Sequence, residues 1–227
     1  MGEQRFGTYV SFTFFKADRE WRKLPREIKE DGIGGFLKAV EGYKDRMTIR
    51  PYSTIGLRAD VDFLLWLLSK DLSAFEGLIA ALRKTGLGAY LETPYAYLAM
   101  TRESMYVKEH QHGPLVNLEA GEAEYLFVYP FIKTTDWYLL PFETRQQMMT
   151  EHFKVGHEFP TVRISTTYSF GLDDQEFVVA FETDSPWDFQ NLVMRLRETE
   201  ARRYTLRDTP IFTCAKRPLE EVLRSLG

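Results

Sequence analysis

Cysteine, long apolar runs and an excess of positive charge are scarce in this sequence, and each shortage argues against a class of protein. Cys214 is the only cysteine among 227 residues, which excludes an internal disulfide and a metal cluster held by thiolates. Its position at the end of a predicted strand indicates a small core residue. The 29 Lys and Arg residues are outnumbered by 33 Asp and Glu, and the net charge is -4. We therefore expect no nucleic-acid partner, because binding a phosphate backbone requires a basic surface.

The apolar residues are spread along the chain instead of forming a membrane span. The longest apolar run, residues 63–68 (FLLWLL), stops at Ser69, whereas a membrane span needs about 20 residues. The first residues, MGEQRFG, contain no apolar signal region. Because 44% of the residues are hydrophobic, the chain can bury one large core or two smaller ones. We expect a cytoplasmic protein with no membrane partner.

The chain contains one pattern twice, with an offset of about 115 residues. Residues 56–66 (GLRADVDFLLW) and 171–181 (GLDDQEFVVAF) each have a Gly-Leu turn, acidic residues and then an apolar strand. Downstream, residues 73–85 and 186–200 carry matching apolar positions at helical spacing. This order of similar segments indicates a duplicated unit.

Alternating segments complete the pattern at both ends of each copy. Residues 8–15 and 124–131 predict the first strands, and residues 93–100 and 209–216 predict the last ones. Each half then has the ferredoxin-like order β-α-β-β-α-β. We predict an α+β fold of tandem duplicated ferredoxin-like repeats, of the dimeric α+β barrel type, with antiparallel sheets packed together and helices outside.

The predicted boundaries give a first repeat at residues 1–100, a linker at 101–123 and a second repeat at 124–227. The linker shows no sustained periodicity, and loops of this length are often functional. Phosphate-binding GxxxxGK[ST] and serine-nucleophile GxSxG motifs do not occur anywhere in the chain.

Residues 148–160 (MMTEHFKVGHEFP) contain two of the four histidines. His152 and His157 are five residues apart, which is a poor spacing for two zinc ligands on one helix face. Pro141 and the acidic residue that follows it predict a helix start, and the helix should run to about Val155–Gly156. His157 then lies beyond the helix end.

Four residues of this helix, at positions 148, 149, 152 and 155, form an apolar stripe that includes His152. Such a histidine is more often a hydrogen-bonded core residue than a ligand. Two methionines beside a buried imidazole nevertheless suit a large flat apolar ligand, and an imidazole nitrogen is a natural axial ligand for haem iron. Nearby, Tyr129 and Trp137 can be oxidised by one electron, and Lys133 can pair with a propionate. Ordinary core packing is the alternative for the aromatic residues.

The second half resembles the chlorite dismutase-like haem protein family, and most closely its coproheme decarboxylase group. The resemblance is carried by residues 129–177 (YPFIKTTDWYLLPFETRQQMMTEHFKVGHEFPTVRISTTYSFGLDDQEF) and 181–210 (FETDSPWDFQNLVMRLRETEARRYTLRDTP). The first half matches only in pattern, as a copy of the fold without cofactor should. The resemblance implies that haem is bound by the second repeat, with the linker contributing to the distal side.

Site residues follow from the matching motifs. His152 of MMTEH is implied as the proximal iron ligand, with Met149 beside the porphyrin. Tyr129 of YPF matches the tyrosine that becomes a radical and removes hydrogen from a propionate. Lys133 matches a basic residue that contacts propionates, and Trp137 of the WY motif is expected beside the cofactor. Arg197 of LRETEA is expected on the propionate side.

The distal side separates the two activities of the family. Chlorite dismutases carry an arginine seven residues before the glycine of GLDD, and this position is Ile164 here, with Ser165 as the alternative register. Neither residue is an arginine, so chlorite decomposition is disfavoured. Arg163 should point to the opposite face of the strand.

A branch of the decarboxylases instead has a linker histidine on the distal side. His112 of HGP matches it and would deprotonate bound hydrogen peroxide as a general base. His110 is the rival two residues away.

The resemblance implies a peroxide-dependent enzyme that converts Fe-coproporphyrin III (coproheme), its substrate and cofactor, to haem b. It also implies a ring-shaped homo-oligomer, a pentamer. The alternatives are a chlorite dismutase-like or peroxidase haem enzyme, a haem carrier or sensor, and an interaction protein that has lost haem.

Overall fold

The computed structural model describes residues 7–106 and 122–227, which form two compact units. Unit 1 contains Met1–Met100 together with Thr213–Gly227, and unit 2 contains Thr101–Phe212. His110 and His112 lie outside the described residues, so the distal histidine stays a prediction. None of the helices in the two described ranges is long and apolar enough to cross a membrane.

Unit 1 has the predicted order β-α-β-β-α-β, with one short extra helix after the first strand. Its elements are β1 (Tyr9–Ala17), α1 (Arg19–Lys23), α2 (Arg26–Glu41), β2 (Thr48–Ser53), β3 (Phe63–Ser69), α3 (Leu72–Arg83) and β4 (Leu91–Met100). Strand β1 pairs with β3 and β4, and β2 pairs with β3, all antiparallel. Helices α2 and α3 bury apolar residues such as Phe36 and Leu78 in the core of this unit.

Unit 2 repeats this order. Its elements are β5 (Tyr125–Lys133), α4 (Thr135–Leu139), α5 (Phe142–His157), β6 (Arg163–Tyr168), β7 (Phe177–Thr183), α6 (Pro186–Arg197) and β8 (Thr205–Arg207). The strands form an antiparallel sheet in the order β6-β7-β5-β8. Tyr129 and Thr166 both pair with Val179, so these three side chains share one face of the sheet.

The last strand and helix of the chain, β9 (Phe212–Lys216) and α7 (Leu219–Arg224), follow unit 2 in sequence. Residues 213–227 nevertheless group with unit 1, where β9 pairs antiparallel with β2. Helix α7 buries Val222 and Leu223 in the unit 1 core. The compact units therefore differ from the predicted boundaries at the C-terminal end, because β2 and the unit 1 core both take partners from this segment.

The duplication predicted from the sequence is visible in matching turns. Gly56 and Gly171, the first residues of the two Gly-Leu turns, have φ angles of 76° and 71°. Both lie in the left-handed region, which glycine enters without a Cβ penalty. The α+β fold of duplicated ferredoxin-like repeats is confirmed. Cys214 is fully buried, as predicted, and burial raises the pKa of its thiol.

Candidate functional site

A large cavity lies in unit 2 between one face of its sheet and helices α5 and α6. Its volume is about 170 Å³, far more than a single water molecule needs. Alternate residues of three strands form one wall, because successive strand side chains point to opposite faces. These are Tyr129, Phe131 and Lys133 of β5, Ile164, Thr166 and Tyr168 of β6, and Phe177, Val179 and Phe181 of β7.

The rest of the lining mixes apolar and polar side chains and comes from the helices, the segment after α6 and the start of the linker. It consists of Trp137, Met149, His152, Phe153, Val193, Leu196, Arg197, Thr199, Ala201, Arg202, Thr205 and Asp208, together with Ser104 and Tyr106 from the start of the linker. Seven of the eight site residues expected from the sequence line this cavity. His112, the remaining expected residue, falls outside the described residues.

Helix α5 places His152 in the cavity. Pro141 is the N-cap, and Glu143 lies in the first turn, where its charge favours the positive end of the helix dipole. Burial, with a smaller effect of the Lys133 charge, lowers the pKa of His152 to about 4, so its imidazole is neutral at pH 7. Within the described residues no group hydrogen bonds to this ring, and a ring nitrogen is available to a ligand.

The remainder of the predicted stripe divides in two. Met149 lines the cavity with His152, whereas Val155 is buried in the adjoining apolar cluster. Met148 is half-buried and does not line the cavity. His157 is exposed and is the last residue of α5, so the prediction that it lies beyond the helix end is wrong by one residue.

Tyr129 is buried in the sheet wall, with 7% of its surface exposed. Its ring stacks on Phe181 at a centroid distance of 5.6 Å. Burial raises the pKa of Tyr129, and the negative charge of Asp208 raises it further, so the phenol keeps its proton at neutral pH. A fixed, protonated phenol facing the cavity can give up a hydrogen atom to an oxidised ligand.

Lys133, at the end of β5, supplies a positive charge to the same cavity. Its Nζ atom lies 4.2 Å from the ring centre of Trp137 and donates a 3.2 Å hydrogen bond to the backbone oxygen of Ala201. Burial lowers the pKa of Lys133 to about 8, although Glu176 opposes this effect. Lys133 is therefore still mostly protonated at pH 7.

Two further charged residues were not predicted from the sequence. Asp208 accepts a hydrogen bond from Nη1 of Arg197, and a second one of 2.7 Å from Nη1 of Arg202. Arg202 follows the LRETEA motif closely enough that its sequence position could have suggested it. Nothing in the sequence marks Asp208, which directly follows β8 and lies in the segment between β8 and β9.

Ile164 points into the cavity, and Ser165 does not. Ser165 is buried, with 3% of its surface exposed, and lies on the other side of the strand, as does Arg163. The geometry therefore favours Ile164 over the alternative register for the position where chlorite dismutases carry an arginine. An aliphatic side chain stands there.

The start of the linker is attached to α5 by Tyr106, another residue that the sequence did not single out. Its hydroxyl accepts a 3.2 Å hydrogen bond from Nη1 of Arg145, and its backbone oxygen accepts one of 2.8 Å from Nε2 of Gln146. The Tyr106 ring also stacks on Phe142 at 5.8 Å. The described part of the linker, which ends at Tyr106, is therefore held beside the cavity.

The donor set can be compared with the needs of different metal groups. Across residues 7–106 and 122–227, no three His, Cys, Asp or Glu side chains are grouped as a metal-ion site. A single neutral imidazole facing broad apolar walls, with cations close by, fits a metalloporphyrin that needs one axial ligand and carries carboxylates.

Fold and site together define an α+β protein of duplicated ferredoxin-like repeats with a large, mostly apolar ligand cavity in its second repeat. The chlorite dismutase family model matches residues 26–217, and the chain belongs to that family. The resemblance proposed from the sequence is confirmed.

Three relatives illustrate the similarity. The chain is 34% identical over 225 residues to coproheme decarboxylase of Mycolicibacterium smegmatis, covering 96% of this chain and 94% of the relative. It is 25% identical over 229 residues to chlorite dismutase of Ideonella dechloratans, covering 97% and 80%. A point mutant of chlorite dismutase from Candidatus Nitrospira defluvii has a TM-score of 0.90 at 27% identity, covering 98% of this chain and 96% of that one.

Proposed function

We propose that this protein binds a haem-type porphyrin in the unit 2 cavity and catalyses the peroxide-dependent oxidative decarboxylation of coproheme to haem b. The observation that carries the proposal is the meeting of a neutral imidazole, a buried phenol and three cations in one apolar cavity. The similarity to coproheme decarboxylase of Mycolicibacterium smegmatis supports it. The wider family similarity supports a haem-binding enzyme.

His152 would hold the iron. Its low pKa, due first to burial, keeps the ring nitrogen unprotonated above about pH 5, and a neutral nitrogen is what an iron ligand requires. Met149 and the apolar strand residues would contact the porphyrin plane and exclude water. When bound, the ferric porphyrin supplies the reaction with peroxide that produces the oxidising equivalents.

Tyr129 would carry the hydrogen-atom transfer. Its phenol loses one electron and one proton, and the resulting tyrosyl radical removes a β-hydrogen from a propionate. The raised pKa of Tyr129 keeps the transferable hydrogen in place until then. Loss of a second electron from the propionate releases CO2 and leaves a vinyl group. Each turn consumes one propionate, one hydrogen peroxide and one proton, and yields one vinyl group, one CO2 and two waters.

Lys133, Arg197 and Arg202 would hold the carboxylates. Charge-assisted hydrogen bonds from these groups fix the orientation of the porphyrin, which decides which propionate meets Tyr129. Trp137, below the Lys133 ammonium group, keeps this cation in place. His112 of the linker is proposed as the base that takes a proton from peroxide, with His110 as its rival.

The chlorite dismutase alternative is less well supported at the distal position. An arginine there would offer donors to a bound anion, whereas Ile164 offers only methyl and methylene groups. A peroxidase acting on stable haem b, or a haem carrier or sensor, uses the same cavity without needing Tyr129.

The test is to load the protein with ferric coproporphyrin III, titrate hydrogen peroxide and follow the porphyrin by mass spectrometry. The wild type should show two successive losses of CO2 plus two hydrogens, and Tyr129→Phe should bind the porphyrin without these losses. Tyr125→Phe, on the same strand outside the cavity, is the matched control. Binding without mass loss in the wild type would contradict the decarboxylase proposal and leave a peroxidase or carrier.

We also propose that the protein assembles as a homopentamer, on the family resemblance alone. Light scattering of the porphyrin-loaded protein gives the molar mass directly. A mass of one chain, 26.6 kDa, would contradict the proposed assembly.

A further inference from the structure

Asp208 is the one acidic side chain among the described residues that line the cavity. One of its oxygens, Oδ2, accepts hydrogen bonds from both Arg197 and Arg202. Only 13% of the Asp208 side chain is exposed, against 36% for each arginine. The carboxylate of Asp208 thus already pairs with both guanidinium groups, in a cavity that should bind the carboxylates of a ligand.

The two arginines retain donors for a ligand. A guanidinium group has five N–H donors, and each arginine uses only Nη1 on Asp208. A ligand carboxylate can therefore bind the arginines while Asp208 stays in place, but it then lies close to a like charge. Lys133 differs, because its Nζ bonds to a neutral backbone oxygen.

We propose that Asp208 is a specificity-determining residue that limits how strongly the Arg197–Arg202 pair prefers a carboxylate-bearing porphyrin to one with neutral side groups. The inference rests on the proposed function and concerns how the same cavity treats substrate and product. It assigns Asp208 a role through electrostatics at the arginines, without contact with the reacting carbon.

The proposed reaction makes such a residue useful. Decarboxylation turns an anionic propionate into a neutral vinyl group, so arginines matched to the substrate alone would lose their partner during turnover. An unpaired, partly buried cation is destabilising. Asp208 remains as the partner of the arginines, so the affinities for substrate and product stay closer together. Tighter binding of the substrate alone would not accelerate the chemical step.

The test compares two ferric porphyrins, coproporphyrin III and its tetramethyl ester, in which each carboxylate is replaced by a neutral methyl ester. The added methyl groups are the same for every variant, so the change in preference between variants reports the effect of charge. Dissociation constants are measured by absorbance titration for the wild type, Asp208→Asn and Asp208→Glu. In Asp208→Asn, which keeps the shape but not the charge, the preference for the acid over the ester should rise about tenfold. Asp208→Glu, which keeps the charge, should stay near the wild-type preference.

Two controls isolate the arginine pair. Glu198→Gln removes a carboxylate that pairs with Arg195 and does not line the cavity, so the preference should not change. The double variant Arg197→Gln/Asp208→Asn should show a smaller rise than Asp208→Asn alone, because one of the two released cations is gone.

The outcomes separate this inference from the proposed function. A preference in Asp208→Asn that is unchanged or reduced, with the wild type binding both porphyrins, would overturn the inference alone and show that Asp208 only orients the arginines. A wild-type protein that binds neither porphyrin would overturn the proposed function and the inference with it.

Discussion

At the scale of single residues, protonation of His152 should make the stability of the folded chain depend on pH. Its pKa is about 4 in the folded protein, due first to burial, and near 6.5 in an unfolded chain. Between these values the unfolded state binds more protons, so stability falls as the pH drops through this window. Between pH 7 and pH 5, the free energy of unfolding of the porphyrin-free wild type should therefore fall. This fall should be about 1–2 kcal/mol larger than the fall in His152→Gln.

Urea unfolding at the two pH values measures this difference. His157→Gln is the matched control, because His157 is exposed on the same helix and should keep the wild-type pH dependence. Equal pH dependence in all three proteins would show that His152 is not buried in its neutral form.

The lowered pKa of Lys133 predicts that the affinity for a porphyrin also depends on pH. Its pKa is lowered to about 8, mainly by burial, so its charge is lost as the pH rises from 7 to 9. The affinity for metal-free coproporphyrin III should therefore fall by up to about tenfold at pH 9. The metal-free porphyrin avoids titration of iron-bound water, and quenching of its fluorescence reports binding.

Lys133→Arg tests whether Lys133 is the titrating group. Arginine keeps its charge at both pH values, so the affinity of this variant should change little between pH 7 and pH 9. A fall as large as that of the wild type would assign the pH dependence to another group.

At the scale of secondary-structure elements, the repeated Gly-Leu turns give the clearest prediction. Gly56 and Gly171 have positive φ angles, and a Cβ at either position would meet no atom within 4 Å. The penalty for alanine is therefore purely conformational, about 1–2 kcal/mol at each site. Gly34, in α2, also faces open space but is helical, so Gly34→Ala should stabilise by about 0.5–1 kcal/mol.

Chemical denaturation of the three variants measures these opposite effects. If Gly171→Ala left the free energy of unfolding unchanged, the turn would have to adopt another conformation at no cost in stability. Such a result would remove the physical basis of the repeat signature.

Most elements could be predicted from the sequence because local patterns determine them. Helices α3 and α6 show apolar spacing, and their predicted ends agree with the structure within three residues. The direction of His152 followed from its stripe on α5. Arg202 and Asp208 could not be predicted as a pair, because they meet only through a turn whose geometry depends on packing.

At the scale of the whole molecule, residues 213–227 act on a core built mainly from the first hundred residues. Leu223 of α7 is fully buried in that core. Leu223→Ala should cost about 2–4 kcal/mol of unfolding free energy, as for other buried leucines. Leu206, which is 68% exposed, provides the control, and Leu206→Ala should change stability by less than about 0.5 kcal/mol.

Hydrogen exchange shows where the Leu223→Ala effect acts. Amides of β1 and β3 should lose protection more than those of β5 and β7, because α7 packs in the unit 1 core. Loss of protection confined to α7 would mean that this helix unfolds separately from the core.

The contribution of the C-terminal segment to unit 1 could not be predicted from the repeat pattern. Similarity between residues 93–100 and 209–216 indicates equivalent strands, but not which strand each one pairs with. Pairing of β9 with β2 is long-range in sequence and depends on an edge that only the folded unit 1 presents.

This pairing imposes an order on folding during synthesis. A ribosome makes the first hundred residues well before residues 213–227, at about 5–20 residues per second. Until the last segment emerges, β2 has one unpaired edge and the apolar residues that α7 covers stay accessible. The nascent N-terminal repeat therefore waits for several seconds in an incomplete state, in which chaperones can bind it, and becomes complete only after the second repeat has been made.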